Sequence, residues 1–231
     1  MKTLGLIGGT TWLSTVEYYK LINQQINERL GGLHSAKMFL YSLNFEEFKP
    51  SADPEKWQQI TKTLSDIAKR LEAAGAECIV MCANTPHLVA DTVQQSIHIP
   101  LIHIAEVTAK EVRKQLIKKV GLLGTKFTME HNFFKDRLTQ QQIETVIPDI
   151  DDREFIHDSI LNELGKEIFS EDTKKKYLVI IDKLIKQGAQ GIIFGCTEIP
   201  MLIKQSDCNV PVFDTTAIHA SAAVDFALDN S

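Results

Sequence analysis

Two cysteines stand at matching places in this 231-residue chain. Cys82 closes the apolar run Ile79-Val80-Met81, and Cys196 closes Ile192-Ile193-Phe194-Gly195. Each is followed by polar positions instead of more core, Ala83-Asn84-Thr85 after the first and Thr197-Glu198 after the second. A lone cysteine at the end of a core strand is ordinarily small apolar filling. A pair with matched polar flanks points to chemistry. If the two thiols face each other, one as thiolate takes a proton from carbon while the other donates one to the opposite face. That is inversion at a carbon centre, the work of a racemase or epimerase. A carbon acid beside a carboxylate is very weak, so the help must come from donors on that carboxylate and from exclusion of water. Asn84 and the threonines supply orienting donors, and strand-to-helix turns aim unpaired backbone N–H groups the same way. Thr10 and Thr11 after the first strand, and Thr125 after its counterpart, hold the same strand-end position. The set describes a small polar pocket for a small anion. A helix N-terminus can lower a thiol pKa from about 8.5, which brings one thiolate within reach of neutral pH.

The elements that must position these residues alternate between short apolar runs and helical stripes, the pattern of βα units and parallel sheets. Strands are expected at Thr3–Ile7, Met38–Leu43, Cys78–Met81, Val120–Leu123 and Ile192–Phe194, with Val212-Phe213 leading into a last helix. Between them, Asp53-Pro54 offers an N-cap and a first helical proline, followed by Trp57, Ile60, Leu64, Ile67 and Leu71 on one face. Tyr177, Ile181, Leu184 and Ile185 stripe a second helix that stops at Gly188. The chain also repeats itself. Gly5-Leu6-Ile7-Gly8 matches Gly121-Leu122-Leu123-Gly124, and LEAAGAECIVMC ending at Cys82 matches LIKQGAQGIIFGC ending at Cys196. A proline stands four positions beyond each cysteine, and Pro100-Leu101-Ile102 matches Pro211-Val212-Phe213. The reading is an α/β fold of two similar Rossmann-like or flavodoxin-like domains with parallel sheets, related by a pseudo-two-fold. Residues 1–104 with 212–231 would form one domain and 105–211 the other, with the site in the cleft at the strands' carboxyl ends.

Composition excludes several classes. A formal charge of −5 without a basic block leaves no footprint for nucleic acid or an anionic membrane. No run reaches the roughly 18 apolar residues of a membrane span, and Leu4-Gly5-Leu6-Ile7 is too short for a signal peptide. The four cysteines lack metal or redox spacing, so a cytoplasmic protein with reduced thiols and no metal is expected. Neither a nucleotide-binding glycine motif nor G-x-S-x-G is present. Of the histidines, His87 alone follows a candidate cysteine closely enough to lean toward it.

Gly8-Gly9-Thr10, Cys82-Ala83-Asn84-Thr85 and Gly195-Cys196-Thr197-Glu198 resemble the signature segments of the cofactor-independent aspartate/glutamate racemases. The likeness runs over nearly the whole chain, through Ser42-Leu43-Asn44-Phe45 and Leu123-Gly124-Thr125. It implies Cys82 and Cys196 as the acid/base pair, no pyridoxal phosphate or other cofactor, and carboxylate binding by Asn84, Thr85 and Thr197. It also implies a lysine, here Lys166, for the side-chain carboxylate of a dicarboxylic amino acid. Glu198, counted with Thr197 among the substrate-binding residues, stands where glutamate racemases have a histidine, which favours the aspartate branch. Thr10-Thr11 replaces a Met-Ser pair common there, and Lys49 stands in the segment where some members carry an arginine. The expectation is an aspartate racemase, acting as a homodimer. The alternatives are a maleate isomerase of the same superfamily, a two-lobed protein that binds a small anion without catalysis, and a redox sensor.

Overall fold

Gly5 and Gly121 each sit in the middle of a central strand, and around each the chain builds the same sheet. The computed structural model describes residues 1–51 and 53–229. Strands β1 (Leu4–Gly8), β2 (Met38–Ser42) and β3 (Cys78–Met81) form one parallel sheet in the order β2-β1-β3. Leu101 adds a single parallel bridge to Ile79 on its far side. Strands β4 (Lys119–Gly124), β5 (Glu144–Val146), β6 (Gly191–Gly195) and β7 (Val212–Asp214) form the second, in the order β5-β4-β6-β7. The helices are α1 (Trp12–Leu30), α2 (Phe45–Phe48), α3 (Pro54–Ala73), α4 (Ala90–Gln94) and α5 (Ile104–Lys114). Beyond β4 come α6 (Lys126–Glu130), α7 (Asn132–Gln140), α8 (Ile150–Asn162), α9 (Glu171–Lys186), α10 (Ile199–Leu202) and α11 (Thr215–Leu228).

The chain divides into two compact units, Met1–His103 with His219–Ser231, and Ile104–Ile218. The chain passes between them at His103-Ile104 and returns within α11. Of the segment from residue 212 onward, which the sequence reading groups with the first unit, 219–229 lie there, and 212–218, where β7 pairs with β6, lie in the second. Pairing to a neighbouring strand, which sequence periodicity does not reveal, decides where that segment belongs.

In the first unit Ile60, Leu64, Ile67 and Leu71 of α3 cover Ile7, Ile79 and Met81 on one face of the sheet. Tyr18, Ile22 and Ile26 of α1, with Ala220, Ala223 and Val224 of α11, cover Leu4, Leu6 and Val80 on the other. The second unit repeats this. Tyr177, Ile181 and Leu184 of α9 cover Leu123, Ile192 and Phe194, and Phe134, Leu138 and Val112 cover Val120, Leu122 and Ile193. A strand buried on both faces reads as a continuous apolar run, which is how β3 and β6 read.

The helices begin where the caps are. Thr11 accepts the Ser14 N–H to open α1, and Asp53 accepts the Glu55 N–H ahead of Pro54 to open α3. The duplication extends to single hydrogen bonds: Ile79 N–H donates to the Pro100 carbonyl at 2.9 Å, and Ile192 N–H to the Pro211 carbonyl at 2.9 Å. No helix among the described residues is long and apolar enough to cross a membrane.

Candidate active site

The first group of candidate residues gathers at the carboxyl ends of β1 and β3. Gly9 turns the chain after β1 with φ +84, and a Cβ there would lie 2.1 Å from the Leu43 carbonyl oxygen, so only glycine fits. The turn delivers Thr10, buried, and Thr11, the α1 cap. Cys82 leaves β3 with its N–H on the Ile7 carbonyl at 2.8 Å. Its own carbonyl accepts the Ser14 hydroxyl at 2.5 Å, which ties the first turn of α1 to the cysteine. Cys82, Asn84 and Thr85 are all buried. The Cys82 Sγ lies 3.9 Å from the Val80 carbonyl, and burial pushes its pKa well up. The N–H groups of Cys82 and Ala83 are taken up by the Ile7 and Met81 carbonyls. The unpaired donors expected here from sequence are therefore not at these two positions.

The second group gathers at the carboxyl ends of β4 and β6. Thr125 caps α6, its hydroxyl accepting the Thr128 N–H at 3.3 Å. Cys196, Thr197 and Glu198 are buried. The Cys196 thiol donates to Glu198 Oε2 at 2.8 Å. Burial raises the Cys196 pKa, the Glu198 charge and hydrogen bond raise it further, and the N–H groups of Glu198 and Thr197 act in the opposite direction. Neither thiol is shifted toward thiolate, contrary to the expectation of a lowered pKa at a strand-to-helix turn. Desolvation outweighs the local donors at both. Lys166 is exposed, at the end of the turn Leu164–Lys166 that packs against α10, and Lys49 is exposed after α2.

Sequence alignment equates Cys82 with Cys196, and the backbone register moves this by one residue. Ile7 pairs with Met81 and Leu123 with Phe194, so Gly195 occupies the place of Cys82. A Cβ on Gly195 would lie 2.8 Å from the Leu123 carbonyl oxygen and 2.9 Å from Thr128 Cγ2. Cys196 therefore follows one position later. The extra residue changes its neighbours. Cys82 packs with Leu4, Leu6 and Tyr18, on the α1 and α11 side of its sheet, whereas Cys196 packs with Tyr177, Phe194 and Leu123, on the α9 side. The two thiols thus sit in different surroundings, one among apolar groups and one on a carboxylate.

A family model for Asp/Glu/Hydantoin racemases matches residues 7–223. The chain belongs to that family. Its structure resembles the crystal structure of a Yersinia pestis protein assigned as an Asp/Glu racemase, with 51% identity and a TM-score of 0.93, covering 99% of this chain and 100% of that one. An aspartate racemase homologue from Pyrococcus horikoshii is 39% identical with a TM-score of 0.87, covering 99% and 100%. Among characterised sequences, the broad specificity amino-acid racemase RacX of Bacillus subtilis is 25% identical over 171 residues, 74% of each chain. The fold class and the family read from the signature segments hold, and this racemase family member is an isomerase.

Two features of the site are absent from the sequence reading. Ser14 reaches the Cys82 carbonyl across 68 residues of chain, which no local pattern signals. Glu198 is read from sequence as a substrate-binding residue and is found on the Cys196 thiol. The Cys-x-Glu spacing is a signal for this, since both groups leave one turn.

Proposed function

We propose that this racemase interconverts L- and D-aspartate by two-base proton exchange, Cys82 and Cys196 serving opposite faces of the α-carbon. The observation that supports the reading is a buried thiol just past the carboxyl end of a buried parallel strand in each unit, Cys82 after β3 and Cys196 after β6. In one direction a thiolate takes the α-proton and becomes a thiol, leaving the bonding electrons on the α-carbon. The other thiol then gives its proton to the opposite face and becomes the thiolate. Glu198 accepts the Cys196 proton, so that thiol has a built-in base. Cys82 sits among apolar neighbours, and burial alone raises its pKa. The ammonium group of an amino acid beside it favours its thiolate by charge.

Asn84, Thr85 and Thr197 bind the substrate's carboxylate, Thr10, Thr11 and Thr125 contribute the polar pocket around it, and Lys166 meets the side-chain carboxylate. Support for aspartate comes from Glu198 in the place of a histidine, and from the Picrophilus torridus aspartate racemase, 25% identical with a TM-score of 0.73, covering 98% of this chain and 94% of that one. The reading keeps a cytoplasmic homodimer that needs no cofactor. The edge strand β2, with Phe39, Leu40 and Tyr41 exposed, offers a face for a second copy. Chiral chromatography after incubation with single enantiomers tests the substrate. Aspartate should be racemised from both sides with a higher kcat/KM than glutamate. Racemisation of neutral or basic amino acids at equal kcat/KM would instead place it with broad-specificity enzymes.

A further inference from the structure

His87 lies five residues beyond Cys82, and its side chain does not join the thiol. It turns back on the chain it follows. The His87 N–H donates to the Asn84 carbonyl at 3.0 Å, and Nδ1 lies 2.9 Å from the Ala83 carbonyl oxygen. A carbonyl only accepts, so Nδ1 carries the hydrogen. Two consecutive carbonyls of the segment that bears Cys82, Asn84 and Thr85 are thus held by one residue. The helical turn Thr85–Val89 has no side-chain cap from Asn84, and Pro86 has no N–H to offer.

The ring itself is held from two sides. His87 is buried, with His103 at 5.0 Å and His219 at 5.4 Å between ring centroids, both in edge contact. His219 is pinned in turn, its Nε2–H donating to the Ile102 carbonyl at 2.7 Å and its Nδ1 accepting the Tyr18 hydroxyl at 2.8 Å. The Nε2 of His87 is buried with no hydrogen-bond partner among the described residues, as fits a neutral ring whose only N–H is spent on Ala83. Those residues also hold no metal-binding group of three or more His, Cys, Asp or Glu side chains.

We propose that His87 is the positioning residue of the Cys82 turn: its Nδ1–H, held in place by His103 and His219, sets the Ala83 carbonyl and with it the aim of the Cys82 thiol. The catalytic part of this rests on the two-base reading above, and the positioning part does not. An asparagine at this position presents its amide N–H close to Nδ1, whereas a glutamine presents it near Nε2, so the two variants separate the hydrogen bond from bulk and polarity.

The experiment compares His87→Asn and His87→Gln in the full chain by alkylation of Cys82 with iodoacetamide, read peptide by peptide, alongside racemisation rates. His87→Gln should speed Cys82 labelling several-fold, leave Cys196 labelling unchanged and lower kcat by roughly ten- to a hundredfold. His87→Asn should restore both toward wild type. Equal labelling of Cys82 in wild type and His87→Gln, or failure of His87→Asn to restore what His87→Gln loses, would overturn the proposal. Faster labelling without a change in kcat would uphold the positioning and count against Cys82 as a catalytic thiol. Long-range proton–nitrogen NMR of the unaltered protein gives a check that needs no variant. His87 should be neutral with its proton on Nδ1, and a proton on Nε2 would overturn the assignment.

Discussion

The Cys196 thiol donates its hydrogen bond to Glu198 Oε2 at 2.8 Å, while burial and the Glu198 charge keep that thiol above its ordinary pKa. In the proposed two-base reaction, this contact gives the Cys196 proton an acceptor already in place. Substitution Glu198→Gln removes the charge and keeps the bulk. The alkylation of Cys196 should then shift to lower pH, because the carboxylate that opposes the thiolate is gone. Racemisation should nevertheless fall by about a hundredfold, since the proton acceptor is lost. A pH profile for Cys196 labelling that does not move would contradict the assignment.

Gly195 is the residue that displaces Cys196 from the place of Cys82. Gly195→Ala drives a methyl group against the Leu123 carbonyl and Thr128. The expected cost is about 1–3 kcal/mol of stability, with a larger proportional loss of kcat than in Gly32→Ala, which loses stability through its φ of +58 while its Cβ meets nothing within 4 Å. Urea midpoints and steady-state rates of the two variants check this.

The buried histidines predict an acid-labile first unit. Burial, with His87 next to it, pushes His219 down to about 3 from 6.5, and burial, with His103 next to it, holds His87 well below 6.5. The unfolded chain therefore binds more protons than the folded one below about pH 6.5. Stability from these groups is full above that pH and is lost as the pH falls below it, for His219 toward about 3 by about 1.4 kcal/mol per pH unit. Trp12 and Trp57, the chain's two tryptophans, both lie in the first unit, so their fluorescence reports its unfolding. Between about pH 7 and pH 5, the urea midpoint should fall less in His219→Gln than in the unaltered protein. An equal fall would remove His219 from the account.

Much of this was legible in the residues. The strands at Cys78–Met81 and Gly191–Gly195 show as apolar runs because both faces of each are covered, and α3 shows as a stripe because only one of its faces is. The repeat of Gly5 and Gly121 announces two similar sheets. β5, three residues long on an edge, carries too few side chains to leave a pattern. The one-residue shift between Cys82 and Cys196 is already present in the sequence, since the segment ending at Cys196 is one residue longer than the one ending at Cys82. The pairing across β4 and β6 then places the extra residue at the strand end, where Gly195 takes the position of Cys82. The thiol pKa values were not legible, since a local helix-terminus argument omits the desolvation that the whole unit imposes.

In the proposed reaction each thiol serves one enantiomer as base, and α-proton exchange into deuterated water reads the two faces separately. A serine hydroxyl still donates a proton but is a far weaker base than a thiolate. Cys82→Ser should lose exchange chiefly from one enantiomer of aspartate, and Cys196→Ser chiefly from the other, with the order reversed between the two variants. Equal loss from both enantiomers in both variants would contradict the two-base account.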